Sequence, residues 1–109
     1  MKKLNMKKNY YVGVCHYYIS GCYYSIYSQT NSLKKALTDK YHHELANGGY
    51  GVILAKDADG KLYPITAFDI RYDGKEDYEF NYNRPVDDLL VIFKNITKYK
   101  FDGKNYIEC

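Results

Sequence analysis

Seven of the fifteen tyrosines fall between Tyr10 and Tyr27, in two runs parted by Ser20-Gly21. Tyrosine, valine and isoleucine favour strands, and a two-residue connection containing glycine favours a tight hairpin. The pattern predicts strands over 10–19 and 22–28. In that register Ile19 faces Cys22, Tyr17 faces Tyr24 and Cys15 faces Ile26. Side chains alternate across a strand. One face then carries Tyr11, Cys15, Tyr17, Ile19, Cys22, Tyr24 and Ile26, and is the better core face. The other, wetter face carries Tyr10, Val12, Val14, His16, Tyr18, Tyr23, Ser25 and Tyr27. Tyrosine joins a large apolar ring to a polar tip and suits half-buried contact surfaces. More rings crowd this hairpin than one core face can take, so Tyr18, Tyr23 and Tyr27 become candidates for partner contact.

Downstream the period changes. Leu33, Ala36, Leu37, Tyr41 and Leu45 recur at three- and four-residue spacing, which predicts an amphipathic helix over 31–47. Asn31 or Ser32 can cap its start, and Gly48-Gly49 suits its left-handed end. Residues 50–56 and 61–67 read as a hairpin around Asp57-Ala58-Asp59-Gly60, with Pro64 placing its strand at an edge or a bulge. A third hairpin is predicted from 68–72 and 75–82 about Asp73-Gly74. Pro85 opens a predicted second helix over 85–95. Asp87 and Asp88 favour its start, and Leu89, Leu90, Phe93 and Ile96 supply its apolar face. A last hairpin spans 97–101 and 104–108 around Asp102-Gly103. The implied fold is a single α+β domain: a mainly antiparallel sheet of several hairpins with two helices packed on one face.

At 109 residues the chain has the length of one domain, read as a flexible basic tail over 1–9 and a folded unit over 10–109. Met6 is a second candidate start. Three cysteines, Cys15, Cys22 and Cys109, are an odd set, which argues for a reduced cytoplasmic setting over a secreted disulfide framework. The lysines near Met1 are followed by no apolar stretch of signal-peptide type, and no run reaches transmembrane length. Charge is unevenly spread: residues 1–56 carry eight lysines against Asp39 and Glu44, a balance of +6, whereas residues 57–109 balance at −3. Such asymmetry can steer a charged partner.

Catalytic and metal-binding signatures fail on spacing. From His43 the chain reads His-Glu-Leu-Ala-Asn, so Asn47 stands where a zinc protease needs its second histidine. Cys15 and His16 are strand neighbours that point to opposite faces and cannot form a nucleophile–base pair. Asp57-Ala58-Asp59-Gly60 lacks the first and last oxygen ligands of a calcium loop. No catalytic residue, metal ligand or cofactor is expected.

Two features remain. Tyrosines beside lysines can stack the bases of single-stranded nucleic acid; packing and strand preference account for the same rings. The second feature is the acidic, aromatic segment from Asp69 to Asp88. In Asp77-Tyr78-Glu79-Phe80-Asn81-Tyr82-Asn83, acids and amides alternate with rings. Asp73, Glu76, Asp77, Glu79 and Asn81 are the candidate partner-binding residues. A row of carboxylates can imitate phosphates in a basic channel of another protein; on a solvated edge strand it discourages aggregation.

Lysine supplies fourteen of the sixteen basic residues, and asparagine, isoleucine and tyrosine are plentiful, a usage that points to a low-GC bacterium or its mobile elements. In size, composition, α+β pattern and acidic-aromatic segment the chain resembles the small anti-CRISPR proteins of phages. That resemblance implies a non-enzymatic inhibitor that binds a Cas effector or another host nucleic-acid-binding protein. It carries over no functional residue, and the net charge of +3 makes any phosphate mimicry local. A single-strand-binding module is the alternative, and exposed aromatic strands leave a homodimer open.

Overall fold

The computed structural model describes residues 3–18, 21–48, 50–70, 76–87, 89–92 and 96–109, and the side chains of these except 17, 18, 21, 22, 67–70, 76 and 89. Tyr10–Tyr18 (β1) and Gly21–Thr30 (β2) form the antiparallel hairpin that the tyrosine runs predict. Its register differs. Tyr18 pairs with Gly21, so Cys15 meets Tyr24 and Tyr17 meets Cys22, each two positions nearer the turn than expected. A slip of two leaves every side chain on its own face. Tyr11, Tyr24 and Ile26 are therefore buried together as predicted, with Cys15 packed against them. The ladder breaks between Val12 and Gly13, where Tyr27 is the extra residue of a bulge. Glycine is needed there, because a Cβ on Gly13 would collide with the Ser25 carbonyl oxygen.

Leu33–Asn47 (α1) is the predicted helix. The Ser32 hydroxyl accepts the Lys35 N–H at 3.2 Å, and Gly48, at φ 70°, ends the helix by donating its N–H to the Glu44 carbonyl. Leu33 and Ala36 bury themselves on Tyr10, Val12, Ile53, Ala55 and Ile65. The hairpin face expected to be wetter is thus the floor of a second core. Farther along, the predicted stripe leaves that core: Tyr41 is 58% and Leu45 67% exposed. Lys40, His43 and Glu44 take the inward positions, half-buried.

Val52–Lys56 (β3) and Leu62–Ile70 (β4) pair antiparallel about a turn held by Asp57, whose Oδ1 accepts the N–H groups of Asp59 and Lys61. Pro64 lies in an interior strand, not at an edge. It closes the ladder to β3, opposite Leu54, and its carbonyl accepts the Asn81 N–H at 2.7 Å. Its missing donor falls where pairing passes from β3 to Glu76–Phe80 (β5), whose last residue lies opposite Ile65. The predicted Asp73-Gly74 turn lies outside the described residues.

Among the described residues the second predicted helix is not formed. Leu89–Ile92 (β6) runs parallel to β2, from Tyr23 opposite Leu89 to Ile26 opposite Ile92. A short apolar run cannot separate helix from buried strand by periodicity. Here the sheet wins: Leu90 and Ile92 reach the first core while their backbone extends β2. Asp87, predicted to favour a helix start, instead pairs with Lys61. Thr97–Phe101 (β7) and Tyr106–Glu108 (β8) complete the predicted last hairpin. Among the described residues the result is one helix and an eight-stranded mixed sheet in the order β5-β4-β3-β1-β2-β6-β7-β8.

The sheet curls around the core of Tyr11, Tyr24, Ile26, Leu54, Leu62, Val86, Leu90, Ile92 and Tyr106. Its two arms meet along Val86 and Asp87: the Val86 N–H donates to the Leu62 carbonyl at 3.2 Å, and the Phe101 N–H to the Asp87 carbonyl at 3.4 Å. The stretch predicted as a basic tail makes contacts of its own. The Leu4 N–H donates to the Tyr106 carbonyl, Lys56 Nζ donates to the Met6 carbonyl, and Leu4 and Met6 pack on this core. No described helix is long and apolar enough to cross a membrane.

Candidate partner-binding surfaces

β5 is the end strand of the sheet, and its alternation separates two kinds of surface. Asp77 and Glu79 are exposed. Tyr78 and Phe80 point the other way and pack on the second core, where Tyr78 meets Tyr10 edge-on at 5.9 Å between ring centres. The rings continue as a row: Tyr78 to Phe80 at 5.4 Å, Phe80 to Tyr82 at 5.3 Å, and Tyr82 to Tyr63 at 4.7 Å. Tyr82, at the end of the row, is 59% exposed. Asn81 is half-buried and shapes the following turn, its Oδ1 accepting the Asn83 N–H at 3.2 Å. Glu76 is placed by its backbone opposite Ile70, and Asp73 lies outside the described residues. Of the five predicted acidic-face residues, the structure brings Asp77 and Glu79 together on one exposed surface.

The tyrosine hairpin is arranged differently from a set of open stacking platforms. Tyr23 stacks on His16 at 4.6 Å with 15° between the planes. Tyr27 stacks on His43 of α1 at 4.1 Å and 19°. Its hydroxyl is buried with no hydrogen-bond partner among the described residues. Burial, with the Glu44 and Asp39 carboxylates adding to it, pushes this phenol up to about 12. One face of each ring is therefore taken by an imidazole. The backbone of Tyr18 pairs with that of Gly21.

Two carboxylates that the sequence pattern did not single out anchor α1 beside these rings. Asp39 accepts the Ser28 hydroxyl at 2.6 Å and the Lys35 ammonium at 3.2 Å. Glu44 accepts Lys40 at 2.9 Å through one oxygen and the Gly51 N–H at 3.0 Å through the other. Partial burial acts to raise both carboxyls. The hydrogen bonds and neighbouring cations outweigh it, so each sits below its ordinary value. Their i, i+4 spacing from Lys35 and Lys40 was the available signal; their partners on β2 and at Gly51 were not visible in it.

At the other side of the sheet a cavity of about 390 Å³ opens between Cys15, Tyr24, Tyr50, Val52, Pro64 and Arg84. Cys15 is half-buried at its wall. His16 belongs to the opposite face with Tyr23, as the alternation predicts. Among the described residues, no group of three or more His, Cys, Asp or Glu side chains is placed to hold a metal ion. No protein-family model, curated protein or solved structure matches this chain.

Proposed function

We propose that this chain is a non-enzymatic binding protein that uses the acidic face of β5 to engage a basic surface on a protein partner. The observation that carries the reading is the pairing of exposure with rigidity on one strand. Asp77 and Glu79 face solvent while Tyr78 and Phe80 lock the same strand to the second core. Carboxylates presented from a fixed backbone lose little freedom on binding, so attraction to lysine and arginine is offset less by ordering. A basic surface that normally holds nucleic acid is the natural counterpart, since carboxylates at strand spacing can stand where phosphates would. A Cas effector in the bacterial cytoplasm is the partner that the anti-CRISPR resemblance implies.

The test is affinity capture from nuclease-treated lysate of a low-GC bacterium carrying CRISPR systems. Wild-type protein is compared with a variant carrying Asp77→Lys and Glu79→Lys. Both sites are exposed, so the thermal midpoint should stay within a few degrees of wild type. The captured protein should be lost from the variant. Equal capture by both proteins sinks the acidic-face reading.

A further inference from the structure

The position of β5 in the sheet narrows the kind of partner. Because the Asn81 N–H is bound by the Pro64 carbonyl, the backbone of Asn81 points toward β4. Backbone groups alternate sides along a strand. The N–H and C=O of Phe80 therefore point away from β4, and those of Tyr78 follow two residues earlier. Among the described residues no strand pairs with this outer edge, since β5 ends the sheet. Sheets commonly guard such an edge with charged side chains, lysine above all, with proline, or with a bulge of the edge strand. Glu76-Asp77-Tyr78-Glu79-Phe80 contains no lysine or proline, its charges are all carboxylates, which repel an acidic edge and admit a basic one, and the break in the β4–β5 ladder places the extra residue on β4, between Thr66 and Asp69.

We propose that an extended segment of the partner adds to the sheet along the outer edge of β5, with basic and apolar residues alternating in its sequence. The reasoning rests on the acidic-face reading above. A strand laid on this edge presents alternate side chains to two surfaces. On one side it meets Asp77 and Glu79, which favour lysine or arginine. On the other it continues the row of Tyr78, Phe80 and Tyr82, which favours apolar side chains. The same charges disfavour a second copy of this chain. In an antiparallel pair of β5 edges centred on Tyr78, Asp77 of each copy would fall opposite Glu79 of the other, and like charges directly opposite are destabilising. Charge complementarity thus favours a foreign basic strand over self-pairing in that register.

A synthetic peptide of about ten residues that alternates lysine and valine is the probe. Its partner is the whole protein labelled with nitrogen-15. Binding should slow hydrogen exchange at the Tyr78 and Phe80 amides. An analogue with every backbone amide N-methylated keeps the side chains and charge but cannot donate to the edge, and should bind at least about tenfold more weakly. The Asp77→Lys, Glu79→Lys protein should also bind the parent peptide at least about tenfold more weakly. Absence of binding, equal affinity for the methylated analogue, or no added protection at Tyr78 and Phe80 overturns strand addition. In the last two cases a loss of affinity on charge reversal leaves the acidic-face reading standing. Edge protection that ignores charge reversal overturns that reading, and with it the basic character assigned to the partner.

Discussion

The Tyr106 hydroxyl accepts the backbone N–H of Leu62 at 2.9 Å, tying the last strand to β4 across 44 positions of sequence. The same hydroxyl donates to the Val86 carbonyl at 2.9 Å. One buried phenol thus joins the two arms of the curled sheet and the segment between them. Burial also raises its pKa above the ordinary tyrosine value, so the hydroxyl remains a donor. Replacing Tyr106 with Phe keeps the ring but strands a buried donor at Leu62 and an acceptor at Val86. The expected loss is about 2–4 kcal/mol in denaturant unfolding. A loss below about 0.5 kcal/mol would show that the closure depends on apolar packing alone.

Acid should weaken the anchoring of α1 to the sheet. Asp39 and Glu44 are both held below their ordinary values by the hydrogen bonds and lysines that tie the helix to Ser28 and Gly51. A carboxylate depressed in the folded state binds fewer protons there than in the unfolded chain. Its stabilising contribution is therefore complete above about pH 5 and is lost as the pH falls through the depressed folded values. Unfolding free energy measured between neutral pH and pH 3 should fall. The fall should be shallower in the Asp39→Asn, Glu44→Gln variant, which keeps hydrogen-bonding atoms but cannot titrate. Parallel pH profiles for the two proteins would remove these carboxylates from the account.

The two halves of the predicted helix stripe should answer mutation oppositely. Leu33→Ala removes a fully buried side chain from the second core and should cost about 2–4 kcal/mol. Tyr41→Ser and Leu45→Ser alter exposed positions and should each stay within about 0.5 kcal/mol of wild type in the same unfolding assay. The contrast shows where the sequence was legible. Periodicity located α1 and both its caps because Ser32, Gly48 and the apolar spacing act within a few residues. It could not show that Glu44 would turn inward to meet Gly51, a contact set by how α1 lies on the sheet. Leu89 to Ile92 failed for a related reason. Four apolar residues carry no period of their own, and the parallel partner that makes them a strand, β2, lies more than sixty residues away. At the candidate site, alternation alone placed Asp77 and Glu79 opposite the rings. That β5 ends the sheet depends on the order of all eight strands, which no local pattern encodes.

Tyr27 separates a packing tyrosine from a binding one. Its hydroxyl is buried without a partner among the described residues, while its ring stacks on His43 and packs against the second core. An unpaired buried hydroxyl costs free energy that its ring does not. Tyr27→Phe should therefore leave stability unchanged or raise it by up to about 1 kcal/mol. Tyr27→Ala should cost about 2 kcal/mol through lost packing and stacking. If Tyr27 were a stacking platform for single strands, the Ala variant would lose affinity for an oligothymidylate probe in low salt while the Phe variant kept it. On the packing account the folded Ala variant shows the same titration as wild type. Fluorescence anisotropy at two salt concentrations, run beside the unfolding curves, distinguishes the two. A selective loss in the Ala variant that weakens as salt rises would return the tyrosine hairpin to the binding surface.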